Sequence, residues 1–91
     1  MPYRVVIPDH AKKQIRDIPR QCAVRIMDAI EGFATDPDYT RWDVRRVIDS
    51  PKNQPRYRIR SGDYRVTLFI YHHQMIIEVI SVRRKNGGMD Y

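Results

Sequence analysis

Three arginines alternate with apolar residues in the second half of the sequence: Arg56, Arg58 and Arg60. Because successive side chains of a β-strand point to opposite faces, this spacing puts all three on one face. Arg65 follows after a short turn and is expected on the neighbouring strand. Guanidinium groups bind phosphate oxygens in a bidentate geometry, so the pattern predicts a phosphate-binding surface. The alternative is a solvated strand face on which arginine stems cover apolar surface.

More basic and aromatic residues come later in the chain. Arg84 and Lys85 follow the last predicted strand, which places them near the same surface. Tyr71 and Tyr91 are the tyrosines that we expect to be exposed. Positive charge nearby favours the ionised form of a tyrosine, which can then accept a proton. A tyrosine ring also offers a platform on which a nucleobase stacks.

Other kinds of site find little support in the sequence. His72 and His73 lie in a predicted turn, where we interpret them as solvated residues, with acid–base catalysis as the weaker alternative. Cys22 is the only cysteine, which excludes an internal disulfide and a cysteine-based zinc site and fits a reducing compartment. No metal-ligand spacing or glycine-rich phosphate loop occurs, so we expect neither a metal nor a cofactor.

The overall charge points to an anionic partner. The chain has 17 Lys and Arg against 11 Asp and Glu, a formal net charge of +6, and seven of the basic residues lie within residues 55–91. Nucleic acid is the usual partner of such a surface, because phosphate contacts dominate its binding. No stretch is apolar enough to span a membrane, and the first residues lack the apolar core of a signal peptide. We therefore expect a cytoplasmic protein with no membrane partner.

The first half of the chain predicts one strand and two helices. Tyr3 to Ile7 is rich in β-branched residues and predicts a strand. Asp9 is the expected N-cap of a first helix. A second helix is expected from Arg20 to Ala34, and its apolar face comprises Ala23, Met27, Ile30 and Ala34, widened by Val24, Ile26 and Phe33.

The second half predicts a three-stranded meander. Residues 39–55 have no clear period and are expected to form an irregular connection with, at most, one short turn of helix or strand. From Arg56 onward the period is two, and short turns separate strands that end near Arg60, Tyr71 and Val82. Residues 1–91 are thus predicted to form one α+β domain of order β-α-α-β-β-β. Its sheet has four strands, is mostly antiparallel, and carries a two-helix hairpin on one face.

The chain resembles the RelE/ParE toxin superfamily over essentially its whole length. The resemblance is carried by the element order, by the segment Tyr57-Arg58-Ile59-Arg60-Ser61-Gly62-Asp63-Tyr64-Arg65-Val66, and by the strand Val79-Ile80-Ser81-Val82 that leads into a basic tail. It implies the toxin of a toxin–antitoxin pair, neutralised by a cognate antitoxin. RelE-type members are mRNA endonucleases that act on the ribosome.

The same resemblance implies a set of site residues and a mechanism. By position, the catalytic set is Arg60, Arg65, Lys85 and Tyr91. Arg58 and Arg84 would bind the RNA phosphate, together with Arg56 from the same strand. The ribose 2′-hydroxyl would attack the adjacent phosphodiester without a metal. The cations would stabilise the developing charge, and Tyr91 or a lysine would take the proton.

Two other functions remain open on the sequence. One is a ParE-like inhibitor of DNA gyrase with no catalysis, which is favoured if Tyr91 and Lys85 lie far from Arg65. The other is a nucleic-acid-binding module without toxicity. The absence of several aromatic residues on one strand face speaks against that module.

Overall fold

Two helices and five strands follow one another in the structure, a computed structural model that describes residues 2–84. Their bounds are β1 Arg4–Val6, α1 Asp9–Arg16, α2 Arg20–Thr35, β2 Val44–Arg46, β3 Arg56–Ser61, β4 Tyr64–Tyr71 and β5 Ile76–Arg84. The predicted α+β class and the helical hairpin are confirmed. Within residues 2–84, no helix is long and apolar enough to cross a membrane.

All five strands join one sheet in the order β1-β5-β4-β3-β2. β1 runs parallel to β5, whereas β2, β3, β4 and β5 pair antiparallel with their neighbours. The four-stranded sheet predicted from the sequence is therefore one strand short. The missing strand is β2, which covers only three residues, two of them arginines. A segment this short is not long enough to show a detectable alternation of apolar and polar residues. It is a strand because it pairs with β3.

Two details of the helices differ from the prediction. Pro8 occupies the N-cap position of α1 without a side-chain hydrogen bond, and Asp9 is the first helical residue. There the carboxylate lies in the first turn, where the helix dipole favours negative charge. Val24 was expected on the apolar face of α2 but is 51% exposed. It lies two residues before buried Ile26, which is about 200° around the helix axis.

The core lies between the helices and one face of the sheet. α2 contributes Ile26, Ile30 and Phe33, which are at most 1% exposed. The sheet side of the core consists of Val44, Ile59, Val66, Leu68, Ile77, Val79 and Val82. The helices cover one face, and the opposite face of the sheet, which we call the open face, has no helix on it among residues 2–84.

A β-bulge interrupts β5 where α1 packs on it. The register shifts between Thr67 and Leu68, which leaves Ile80 without an opposite residue on β4. Two α1 side chains one turn apart bind the backbone at this point. His10 Nε2 donates to the Ile80 carbonyl at 2.7 Å, and Gln14 Oε1 accepts from the Val82 N–H at 2.8 Å. The helix thus satisfies polar groups that the bulge removes from the strand ladder.

Candidate functional site

Strand alternation places the arginines of β3 on the open face. Ile59 is fully buried in the core, and its neighbours Arg58 and Arg60 therefore point to the other side of the sheet. Arg56 lies two residues before Arg58 and faces the same way. The sequence prediction that these three arginines share one face agrees with the alternation of the observed strand.

The densest group of charge is a row of three arginines across neighbouring strands. Arg60 of β3 lies opposite Arg65 of β4, which in turn lies opposite Arg83 of β5. Side chains that lie directly opposite start from Cβ atoms only about 4.5–5.5 Å apart, and like charges in this position destabilise a sheet. Arg65, in the middle, is only 8% exposed, whereas Arg60 and Arg83 are exposed.

A second row runs beside the first. Arg45 of β2 lies opposite Arg58, which lies opposite Thr67, and Thr67 lies opposite Ser81. We call the five residues Arg45, Arg58, Arg60, Arg65 and Arg83 the arginine patch. Arg45 Nε also contacts Asp43 Oδ1 at 3.1 Å, but both side chains are about half exposed or more, so this pair contributes little.

The remaining predicted site residues fall in different places. Arg56 lies opposite Phe69, one row beyond the patch. Arg84 lies opposite Tyr64, whose side chain packs against the core, so Arg84 leaves the strand toward the helix side. Its phosphate-binding role stays a prediction. Lys85 and Tyr91, the two predicted proton-transfer residues, lie outside the described residues.

Two residues of the arginine patch were not among the predicted site residues. The sequence prediction included Arg84 but not Arg83. Val82 is buried in the core, and because side chains alternate along a strand, its neighbour Arg83 faces the open side. Arg45 belongs to β2, which lies in the segment that the sequence predicted as an irregular connection with at most one short turn of helix or strand. Only the pairing of β2 with β3 brings Arg45 beside Arg58.

The other end of the open face is apolar and aromatic. We call Phe69, Tyr71, Ile76 and Glu78 the aromatic end. The rings of Phe69 and Tyr71 lie 6.1 Å apart, and the Tyr71 hydroxyl donates to Glu78 Oε1 at 3.0 Å. Burial, then the hydrogen bond and the charge of Glu78, raise the pKa of Tyr71. The ring is therefore a neutral phenol at neutral pH and not a proton acceptor.

The turn histidines lie away from the arginine patch. His72 Nδ1 is 2.9 Å from the Tyr3 hydroxyl, and His72 Nε2 is 3.3 Å from the Tyr39 hydroxyl. These contacts tie the β4–β5 turn to the start of β1 and to the segment after α2. Seven residues along the chain separate His72 from Arg65, about 23 Å at the rise of a strand. Within residues 2–84, no three histidine, cysteine or carboxylate side chains are grouped so that they could hold a metal ion.

Several solved toxin structures have a fold similar to that of this chain. The chain matches RelE in the archaeal RelE–RelB complex of Pyrococcus horikoshii with a TM-score of 0.80 and 22% identity, over 97% of this chain and 100% of that chain. It matches the toxin–antitoxin complex RelBE2 of Mycobacterium tuberculosis with a TM-score of 0.72 and 16% identity, over 93% of each chain.

A third match is the isolated Escherichia coli RelE toxin, with a TM-score of 0.70 and 15% identity, over 96% of this chain and 88% of that chain. A comparison of the sequence with protein-family models gives no match, and a comparison with curated proteins gives no significant one. The structural matches span nearly the whole chain, and they show that it has the fold of RelE toxins. The predicted fold resemblance is confirmed.

Proposed function

We propose that this chain, acting as one domain over residues 1–91, is the toxin of a type II toxin–antitoxin pair and cleaves mRNA on the ribosome in the cytoplasm. The observation that carries the proposal is the row Arg60–Arg65–Arg83, which brings three like charges side by side on the open face. Like charges directly opposite one another on neighbouring strands concentrate positive potential, which favours the binding of an anion at this row. The RelE fold makes an RNA phosphodiester the candidate anion.

The proposed reaction is an internal transfer within the RNA. The ribose 2′-oxygen attacks the adjacent phosphorus, the bond from phosphorus to the 5′-oxygen breaks, and the products carry a 2′,3′-cyclic phosphate and a 5′-hydroxyl. One proton leaves the 2′-hydroxyl, and one is delivered to the departing 5′-oxygen. No metal takes part in this scheme.

The arginine patch would act on the charge that develops on the phosphate. Arg65 is nearly buried, so its guanidinium is held in place and is less screened by water than its exposed neighbours Arg60 and Arg83. A preorganised cation of this kind stabilises the transition state more than the ground state. Arginine does not give up its proton in proteins, so another group must take the 2′ proton. Tyr91 and Lys85 remain the predicted candidates.

A cognate antitoxin is the proposed protein partner. Four of the matching structures are toxin–antitoxin complexes. The net charge of +6 favours an acidic partner protein, which could be encoded next to the toxin. The matching structures are RelE toxins and their antitoxin complexes, and they do not favour the alternative function of a gyrase inhibitor.

The test is a comparison of Arg65→Ala with a matched arginine elsewhere. Arg25→Ala serves as the control, because Arg25 is exposed on α2, on the other side of the sheet. Both variants are added to a translating extract, and cleavage is followed by mapping of transcript 5′ ends. We expect Arg65→Ala to reduce cleavage by about 100-fold or more, as for other lost transition-state donors. Arg25→Ala should cleave as the unchanged protein does.

A gyrase supercoiling assay is run in parallel. Urea unfolding of each variant shows whether a loss of cleavage merely reflects a loss of fold. Both proteins are also expressed in cells. Growth arrest of cells that express Arg65→Ala while their mRNA stays intact, or inhibition of supercoiling by the unchanged protein, would refute the proposed ribonuclease.

A further inference from the structure

The aromatic end continues the surface that holds the arginine patch. Arg65, Thr67, Phe69 and Tyr71 all point to the open face of β4, because they are two residues apart. Each step along this series covers about 6.6–6.8 Å. A single-stranded polymer whose phosphate binds at Arg65 and that follows β4 therefore passes over Phe69 and Tyr71.

The aromatic end also has the rings and the shape for a planar base. A depression of about 330 Å³ lies beside the Tyr71 ring and is lined by Val6, Tyr71, Gln74, Ile76 and Glu78. This volume is at the low end of the range of about 300–1,000 Å³ in which proteins hold small organic groups. Aromatic side chains on a sheet face are a common platform for bases of single-stranded RNA. Phe69 and Tyr71 share one face of β4, so the expectation that no strand face holds several aromatic residues is wrong for this strand.

Cations lie on both sides of the aromatic end. Arg56 is opposite Phe69 on β3, and Arg4 is opposite Ile76 on β1. Both arginines are exposed. They are placed to meet the phosphates that flank a base, which favours a nucleic acid over an apolar protein segment as the occupant.

Glu78 is the acidic residue in this otherwise basic and apolar region. Its carboxylate repels phosphate, but it accepts hydrogen bonds from the edge of a base. Tyr71 donates to Oε1, and a carboxylate has about four acceptor positions, so several remain. Guanine presents two adjacent donors, N1–H and the 2-amino group, that match the two oxygens of a carboxylate. Uracil has no amino group and presents carbonyl oxygens on either side of its single N–H.

We infer that the aromatic end binds a guanine of single-stranded RNA, with Phe69 and Tyr71 as the stacking surface and Glu78 as the acceptor for the guanine edge. The inference rests on the proposed function, because it assumes that the RNA reaches this site from the arginine patch. It assigns to this face a base preference close to the cleavage site.

The test uses the intact protein and short RNA probes. One probe is an oligoadenylate with a single central guanosine, and the matched probe carries inosine there, which lacks only the 2-amino group. Fluorescence anisotropy gives the affinity for each probe at one fixed salt concentration. We expect the unchanged protein to prefer guanosine by about 10- to 100-fold, the range for the loss of one hydrogen bond to a charged group.

Two variants separate the acceptor from the stacking surface. Glu78→Gln has nearly the same size and should bring the ratio of guanosine to inosine affinity close to one. Phe69→Leu should weaken both probes by about 5- to 100-fold, the range for the loss of one stacking contact, and leave their ratio unchanged. Urea unfolding confirms that both variants fold.

Several results would overturn the inference. They are a guanosine-to-inosine ratio near one in the unchanged protein, an unaltered ratio in Glu78→Gln, or no binding of either probe. If the two variants weaken binding of an antitoxin while RNA affinities stay constant, the aromatic end is a protein-docking surface instead. The proposed function is judged separately by mRNA cleavage with Arg65→Ala, so that failure of the base site leaves that result intact.

Discussion

The two faces of the sheet are built from the same strands but have different roles. In β3, Ile59 is fully buried under the helices, while Arg58 and Arg60 on either side of it face away from them. In β4, Val66 and Leu68 are buried, and Arg65 and Thr67 lie on the open face. The covered face holds the fold together, whereas the open face gathers positive charge on neighbouring strands. A concentration of like charge is typical of a surface that binds a ligand of opposite charge.

The largest effect is expected on the covered face. Ile59→Ala removes a fully buried side chain and should lower the free energy of unfolding by about 2–5 kcal/mol. Thr67→Ala, on the open face, should change it by no more than about 1 kcal/mol, the span of β-strand propensities. Urea unfolding measures both. If Ile59→Ala does not fold, Ile59→Val should still cost about 0.5–1.5 kcal/mol. Equal losses for Ile59→Ala and Thr67→Ala would contradict the division between the faces.

A smaller loss is expected where α1 holds the β5 bulge. Gln14→Ala leaves the Val82 N–H without its acceptor, which should cost about 1–3 kcal/mol if no water replaces it. Lys13→Ala is the control, because Lys13 is exposed on the same helix. Thermal or urea unfolding reports the difference. Matching stabilities of the two variants would show that the bulge does not depend on this bond.

Removal of one charge from the open face should raise the free energy of unfolding, whereas the two preceding substitutions should lower it. Arg83→Gln removes one charge directly opposite Arg65 and should raise the free energy of unfolding by about 0.2–1 kcal/mol at low salt. The gain should shrink at high salt, where exposed charges are screened. Arg25→Gln on α2 controls for the change in net charge. A loss of stability in Arg83→Gln would mean that the arginine row is not repulsive.

The smallest effect is expected from a tyrosine on the covered side. Burial, then the nearby Tyr57 and Tyr3, raises the pKa of Tyr39 to about 12. Because an unfolded tyrosine ionises near pH 10, this contribution to stability is complete below about pH 10 and is lost as the pH rises toward about 12. Unfolding in urea at about pH 9 and about pH 11 should therefore show a smaller decline for Tyr39→Phe than for the unchanged protein. An identical decline would show that Tyr39 does not contribute.

The sequence predicted the elements whose periodicity is long enough to be seen. α2 spans 16 residues and β4 eight, and both were found near their predicted bounds. The alternation of Arg58, Ile59 and Arg60 also defined which side chains share a face. Two short features were not located correctly, namely β2 and the first residue of α1. Three residues are too few to show a strand period, and a single N-cap residue has no periodicity at all.

The sequence by itself determined the α+β class, the order of the main elements and the arginines that alternate with core residues, since these follow from local period and charge. Tertiary structure alone decided which arginines are neighbours. Strand pairing, which joins residues distant in the chain, placed Arg83 beside Arg65 and Arg45 beside Arg58. It also brought Glu78 opposite Phe69. Register depends on how the hydrophobic patterns of two strands and the turn between them fit together, so the sequence of one strand does not determine it.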